Sequence, residues 1–182
     1  MYSDDFMSAQ FYVFLSEKIY GMRTSFISDK TELEGIISQC DMCFVGFVEV
    51  DGTPYVIPMN FGYLNHEIIL HSGPEGKHLS LLELNNRVCV TFCTGHELVY
   101  QHPDVACSYS MTSKSVLCKG SVSFTEDLGE KEELMNLLMR NYTDRQFKYS
   151  IPALKNVKVW RVKVDEMTGK SFGQNFKKSS DL

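Results

Sequence analysis

Long apolar runs are missing from this chain. Nothing approaches the ~20 consecutive apolar residues that carry a helix across a bilayer. The one N-terminal apolar stretch, Phe11 to Leu15, is brief and flanked by Asp4, Asp5, Glu17 and Lys18, unlike a signal peptide. The expectation is a cytoplasmic protein with no membrane partner. A basic excess is missing too: 18 Lys and Arg face 23 Asp and Glu, for a formal charge of −5. A phosphate-backbone binder needs a basic face, so nucleic acid is excluded as a partner. Internal repeats and low-complexity linkers are also absent, and 182 residues at ~150 per domain make one domain with a short appendage.

Several chemical motifs are incomplete. His66-Glu67 and His96-Glu97 begin a zinc-protease pattern, but Leu70 and Tyr100 stand where the second histidine belongs. Gly73 to His78 is shorter than a nucleotide-binding phosphate loop and lacks the hydroxyl that holds magnesium. There is no Gly-x-Ser-x-Gly elbow, and spacing gives no Cys–His pair. Cysteine itself is plentiful, six in all. Without an export signal these are expected as thiols, not disulfides. Cys40-x-x-Cys43 and Cys89-x-x-x-Cys93 mimic half of a zinc signature. Residues 87–95 read as a strand, however, where positions four apart lie about 13 Å from each other. Two sulfurs at ~2.3 Å from one zinc cannot be so far apart. Residues 40 and 43, if extended, face opposite sides. No metal site is expected.

What is there has the pattern of a small β-rich domain over residues 22–176. Residues 1–21 form an appendage with Phe11, Leu15 and Tyr20 at helical spacing, and the polar tail 177–182 is expected to fray. Asp29 with Glu32 makes a capping box ahead of Leu33, Ile36 and Ile37. Segments 42–50, 55–63 and 67–71, separated by turn signals, predict an antiparallel meander. Pro58 cannot donate to a ladder and belongs at an edge or a bulge. A short helix with Leu79 and Leu82 inward, and Leu81 as a further candidate, precedes a strand at 87–94, a loop at 95–106 and one or two strands over 107–125. Asp127 and Glu130 open a helix with Leu134, Leu137, Leu138 and Tyr142 on one face. Residues 157–164 alternate as a half-buried strand. The fold class is mainly β (α+β): a small antiparallel barrel with flanking helices.

One local feature carries chemistry. A strand ends at His71, a glycine-bearing loop follows, and Lys77 falls in the first turn of a helix. Unpaired amides at a helix start suit a phosphate, to which Ser72 and Lys77 would add a hydroxyl and a charge. The alternative is that Gly73 and Gly76 only shape a turn, with Lys77 solvated.

The order of residues narrows this. Met22-Arg23, then Asp51-Gly52-Thr53-Pro54 through Pro58-Met59-Asn60-Phe61, Leu70-His71-Ser72-Gly73, Gly76-Lys77, Asn85-Asn86-Arg87, Ser115-Val116 with Gly120, and Met167-Thr168-Gly169-Lys170 follow one another. This series resembles the pyridoxamine 5′-phosphate oxidase-like split-barrel family, in its 5-nitroimidazole resistance (Nim-type) branch, over about residues 22–170. The resemblance implies a homodimer of six-stranded antiparallel split β-barrels with FMN, or FAD, in a cleft between subunits. By position, Pro58, Met59, Asn60 and Phe61 would lie along the flavin ring. His71, Ser72, Gly73 and Lys77 would surround its phosphate end, and Ser115 and Val116 would contribute from a neighbouring strand. His71 matches the histidine placed near substrate in Nim-type proteins; the alternative is a strand-end histidine bracing the loop. Ser72 stands where the family often has Gly, and Lys77-His78 where Arg-Lys is common. The implied activity is flavin-dependent reduction of a nitroaromatic at the expense of a reduced nicotinamide. Two other readings stand beside it: a non-catalytic flavin- or haem-binding split-barrel module, and a thiol protein working through Cys40 and Cys43.

Overall fold

The computed structural model describes residues 24–173 and 177–178; the appendage expected over 1–21 lies outside these, as do Met22 and Arg23. The first strand, β1 (Thr24–Ile27), leads into α1 (Lys30–Ser38). The Asp29 carboxylate accepts the Glu32 N–H at 2.8 Å and stops the chain from fraying there. Leu33, Ile36 and Ile37 turn inward as their spacing predicts. The expected meander divides in two, because segment 55–63 breaks at Asn60-Phe61: β2 (Cys43–Val48) pairs with β3 (Pro54–Met59), whereas β4 (Gly62–Leu64) pairs with β5 (Glu67–Ser72) at the opposite end of the strand order. Next come α2 (Lys77–Leu84), β6 (Arg87–Tyr100), a 3-10 turn at Ala106–Ser108 and β7 (Tyr109–Thr125). The chain continues through α3 (Leu128–Met139), α4 (Ile151–Lys155), β8 (Lys158–Phe172) and β9 (Lys177–Lys178).

The strands join in the order β3-β2-β6-β7-β8-β5-β4, with β1 added to β8 and β9 to β6, and every pairing is antiparallel. The six strands of six residues or more, β2, β3 and β5 to β8, are the expected split barrel; β1, β4 and β9 are short additions. Of the tail expected to fray, Lys177–Lys178 pair with Val99 and Tyr100.

Two further expectations are corrected. Residues 95–100 are not loop: β6 continues to Tyr100, and the register shifts between Thr94 and Glu97. Gly95, at φ 69, takes the left-handed conformation that absorbs the one extra residue, after which pairing with β7 resumes. Residues 157–164 do not alternate between core and solvent either, since Val159 and Trp160 are both fully buried. Trp160 and Val162 face the barrel interior with Phe47, Phe61, Leu70 and Phe92. Val159 packs with Ile69, Leu134 and Leu138 beneath α3. At Val159 and Trp160 β8 is covered on both faces, whereas Arg161 is half-buried and Lys163 exposed.

Lys131 of α3 is 2% exposed, and its ammonium is satisfied by Glu126 at 3.3 Å and by the carbonyls of Leu154 (3.3 Å) and Val157 (3.0 Å), tying α3 to α4. All six cysteines are free thiols; Cys40, Cys43 and Cys118 are buried, and burial pushes Cys43 and Cys118 up to about 12. Among the described residues, no helix is long and apolar enough to cross a membrane, and no three His, Cys, Asp or Glu gather as a metal set.

Candidate functional site

The barrel carries an exposed apolar face on β2 and β3. β2 alternates, sending Cys43, Val45 and Phe47 inward and Phe44, Gly46 and Val48 outward. Phe44 (45% exposed), Val48 (50%) and Val56 (56%) lie open to solvent, an unusual density of large apolar groups. Pro58 is exposed beside them, on an edge strand as its missing N–H requires. Gly46 sits between Phe44 and Val48 and opposite Val56. With no side chain it leaves a shallow gap in the face, which an added Cβ would occupy 3.4 Å from the Cys89 carbonyl and 3.9 Å from Val56 Cγ2. A flat apolar bed with a gap in it fits a planar aromatic ring.

The register carries this face across the sheet. Pro58 pairs with Phe44, Phe44 with Thr91, Thr91 with Leu117 and Leu117 with Thr168. Ser115 and Val116 are the next positions along β7 and so share these rows with the Pro58–Asn60 segment, three strand spacings or ~14 Å away. Not every implied residue offers its side chain. Phe61 and Val116 are fully buried, and Met59 nearly so. Phe61 stacks edge-on against Phe92 at 4.8 Å. These three face the barrel core, leaving backbone as what they present outward, whereas Pro58 and Asn60 are exposed and Ser115 is half-buried.

The other implied cluster is at the end of β5. His71 pairs with Val159, is half-buried, and its Nδ1 is buried without a hydrogen-bond partner. Burial lowers its pKa, so the neutral imidazole is favoured. Ser72 donates its hydroxyl to the Gly73 carbonyl at 2.9 Å, closing the loop on itself. Gly76 caps α2 with φ 151 and no side-chain bond; the Leu79 N–H donates to the Gly76 carbonyl at 3.0 Å, so the Lys77 and His78 amides are the ones that stay open. Lys77 is not simply solvated. Its ammonium meets Glu49 at 2.7 Å and lies 4.9 Å from the centre of the Tyr55 ring. The loop is thereby tied to β3, three residues or ~10 Å along the strand from Pro58. An anion at the helix start must draw Lys77 away from Glu49.

Sequence reasoning missed three features. Glu49 is one; nothing local links it to Lys77. The second is a buried aromatic stack, in which His78 lies 5.2 Å from Trp160, with His78 Nε2 and Trp160 Nε1 both buried and unpartnered. Burial also lowers the His78 pKa. The third is a contact of Cys93 Sγ with His96 Nε2 at 3.2 Å, which the bulge creates. Cys40 and Cys43 make no such pair: Cys40 bonds the Ile36 carbonyl at 3.3 Å and Cys43 the Met59 carbonyl at 3.4 Å.

The family model for pyridoxamine 5′-phosphate oxidase matches residues 29–171. Among solved structures, a candidate 5-nitroimidazole antibiotic resistance protein from Bacteroides thetaiotaomicron is 56% identical over 85% of this chain and 90% of its own, with a TM-score of 0.77. Two others share the fold at low identity. An FAD and heme binding protein from Mycobacterium smegmatis has a TM-score of 0.73 at 16% identity, over 86% of this chain and 77% of its own. A flavocytochrome from Azotobacter vinelandii has 0.70 at 18%, over 84% and 71%. No protein of curated function matches. With the fold, the register and these matches together, the chain belongs to the pyridoxamine 5′-phosphate oxidase-like split-barrel family, in its 5-nitroimidazole resistance branch.

Proposed function

We infer that this chain is a flavin-dependent oxidoreductase that acts as a homodimer, binds FMN and reduces nitroaromatic compounds at the expense of a reduced nicotinamide. The observation that carries the reading is the 56% identity, over 85% of the chain, with a candidate nitroimidazole resistance protein. The exposed apolar bed of Phe44, Val48, Val56 and Pro58 supports it, as a surface suited to a ring and to a second barrel. FMN is favoured because the loop from Ser72 to Gly76 offers one set of open amides with one lysine, enough for a single phosphate.

A bound flavin supplies the redox chemistry, so the protein has only to bind, orient and admit substrate. Pro58 and Asn60 would line the ring edge, with Ser115 facing them from β7. Lys77 and the first amides of α2 would hold the phosphate. His71, neutral through burial and free at Nδ1, is suited to hydrogen-bond substrate or hold a proton beside it.

The test is anaerobic. Protein loaded with FMN and reduced beforehand should be reoxidised on mixing with nitroaromatics. If it stays reduced with several of them, nitroreduction is wrong. In His71→Ala, turnover should fall by roughly 10²–10⁴-fold with flavin retained. Lost flavin affinity at constant turnover per bound flavin would make His71 a brace for the loop.

A second reading, a haem-binding module, is favoured by one observation, the half-buried imidazole of His71 with its buried, unpartnered Nδ1. An absorbance spectrum of freshly purified protein separates the two readings by flavin bands or a Soret band.

A further inference from the structure

Cys93 and His96 flank the irregularity in β6. In a regular strand, residues three apart point to opposite faces and lie about 10 Å apart. Here the register shift between Thr94 and Glu97, turned by Gly95 at φ 69, folds them together until Cys93 Sγ is 3.2 Å from His96 Nε2. Cys93 is half-buried and His96 exposed, so the pair is held by the strand yet reached from solvent.

We propose that Cys93 is a nucleophilic thiol, activated by His96, that forms mixed disulfides with small disulfide compounds. The nucleophile in such exchange is the thiolate, and an imidazole in contact with the sulfur takes its proton and then stabilises the charge. The Cys93 proton passes to His96 Nε2, and the thiolate attacks one sulfur of R–S–S–R. The S–S bond breaks as Cys93–S–S–R forms. The leaving thiolate takes a proton from the imidazolium, giving RSH. Cys93 is oxidised and the leaving sulfur reduced, so atoms and electrons balance.

The other five thiols make a built-in comparison. Cys43 and Cys118 are buried and pushed up to about 12, and burial also raises Cys40. Cys40 is a neighbour of the pair, since the Cys93 amide partly offsets that rise. Cys89 is half-buried on the same strand with no imidazole bonded to it. Cys107 alone is exposed and has no hydrogen-bond partner among the described residues. Exposure by itself ranks Cys107 first, whereas activation ranks Cys93 first.

The experiment mixes the purified protein with 5,5′-dithiobis(2-nitrobenzoate), quenches with acid at short times and counts labelled cysteines by peptide mass mapping. Cys93 should label about tenfold or more ahead of Cys107. In His96→Gln its rate should drop about tenfold, with the Cys107 rate in the same sample unchanged. Cys107 labelling ahead of Cys93 in the wild-type protein would overturn the proposal without any variant. So would an unchanged Cys93 rate in His96→Gln.

Discussion

The Tyr142 hydroxyl accepts the Phe61 N–H at 2.9 Å and donates to the Asp41 carbonyl at 3.0 Å. One side chain beyond the end of α3 thus fixes both the exit of β3 and the approach to β2. Tyr142→Phe removes both bonds and leaves a part-buried N–H unpaired, so stability should fall by ~1–3 kcal/mol. A lower urea midpoint at constant slope is the expected result; an unchanged midpoint would show that water replaces the hydroxyl at no cost.

Lys77 and Glu49 make opposite predictions for flavin binding. Lys77→Ala should weaken FMN about tenfold or more, because a charged hydrogen bond to phosphate contributes ~1.5–3 kcal/mol. Glu49→Gln frees the ammonium held at 2.7 Å and should tighten binding. Fluorescence titration of both variants checks this. Equal affinities in all three proteins would remove Lys77 from the phosphate site.

Burial holds both His71 and His78 below the ordinary histidine value. The unfolded chain then takes up protons at a higher pH than the native one. Between the ordinary value and the depressed native one, the unfolded state gains protons first, so stability falls as pH falls through that window. The urea midpoint should drop between about pH 7.5 and about pH 5.5, across the ordinary histidine pKa. It should drop less in His71→Gln and in His78→Gln. Parallel pH curves for wild type and both variants would contradict the burial of these rings.

What was legible in the sequence is what is local. The Asp29 and Asp127 caps each reach only three residues, to Glu32 and Glu130 at 2.8 Å, and both were readable. Pro58 marked its own edge strand because a missing N–H is a property of the residue. The continuation of β6 was not readable, since Gly95-His96-Glu97 has turn chemistry and only pairing with Thr112 on β7 keeps the strand going. The burial of Val159 was hidden for a similar reason: the helix that covers it is made elsewhere in the chain. Within the candidate site, the His71 loop could be found by pattern. The Glu49 that occupies Lys77 could not, because their meeting depends on how α2 closes against β2.

Dimerisation should run through the open face of β2 and β3. Light scattering at micromolar concentration should give twice the chain mass of 20.8 kDa. Phe44→Lys should shift the protein toward monomer and lower flavin affinity together, as it charges an apolar bed shared by partner and ring. A wild-type monomer that keeps its flavin would contradict the arrangement.

Gly120 sits where β7 shifts register against β8, with the Lys163 carbonyl against the place a Cβ would take. Backbone cannot move aside as a side chain can. Gly120→Ala should destabilise by ~1–3 kcal/mol, read as a lower thermal midpoint. No shift would mean that the bulge relaxes freely.

The double covering of β8 has a kinetic meaning. Its amides between Val159 and Val162 are shielded by the barrel interior on one side and by α3 on the other. Local opening cannot expose them without parting both layers, so they belong among the slowest-exchanging protons of the chain. His71 hangs from that strand through its pairing with Val159, whereas Pro58 rides on the outermost strand. The strand that carries His71 and the strand that carries Pro58 should therefore breathe on different clocks, the first slowly and the second readily.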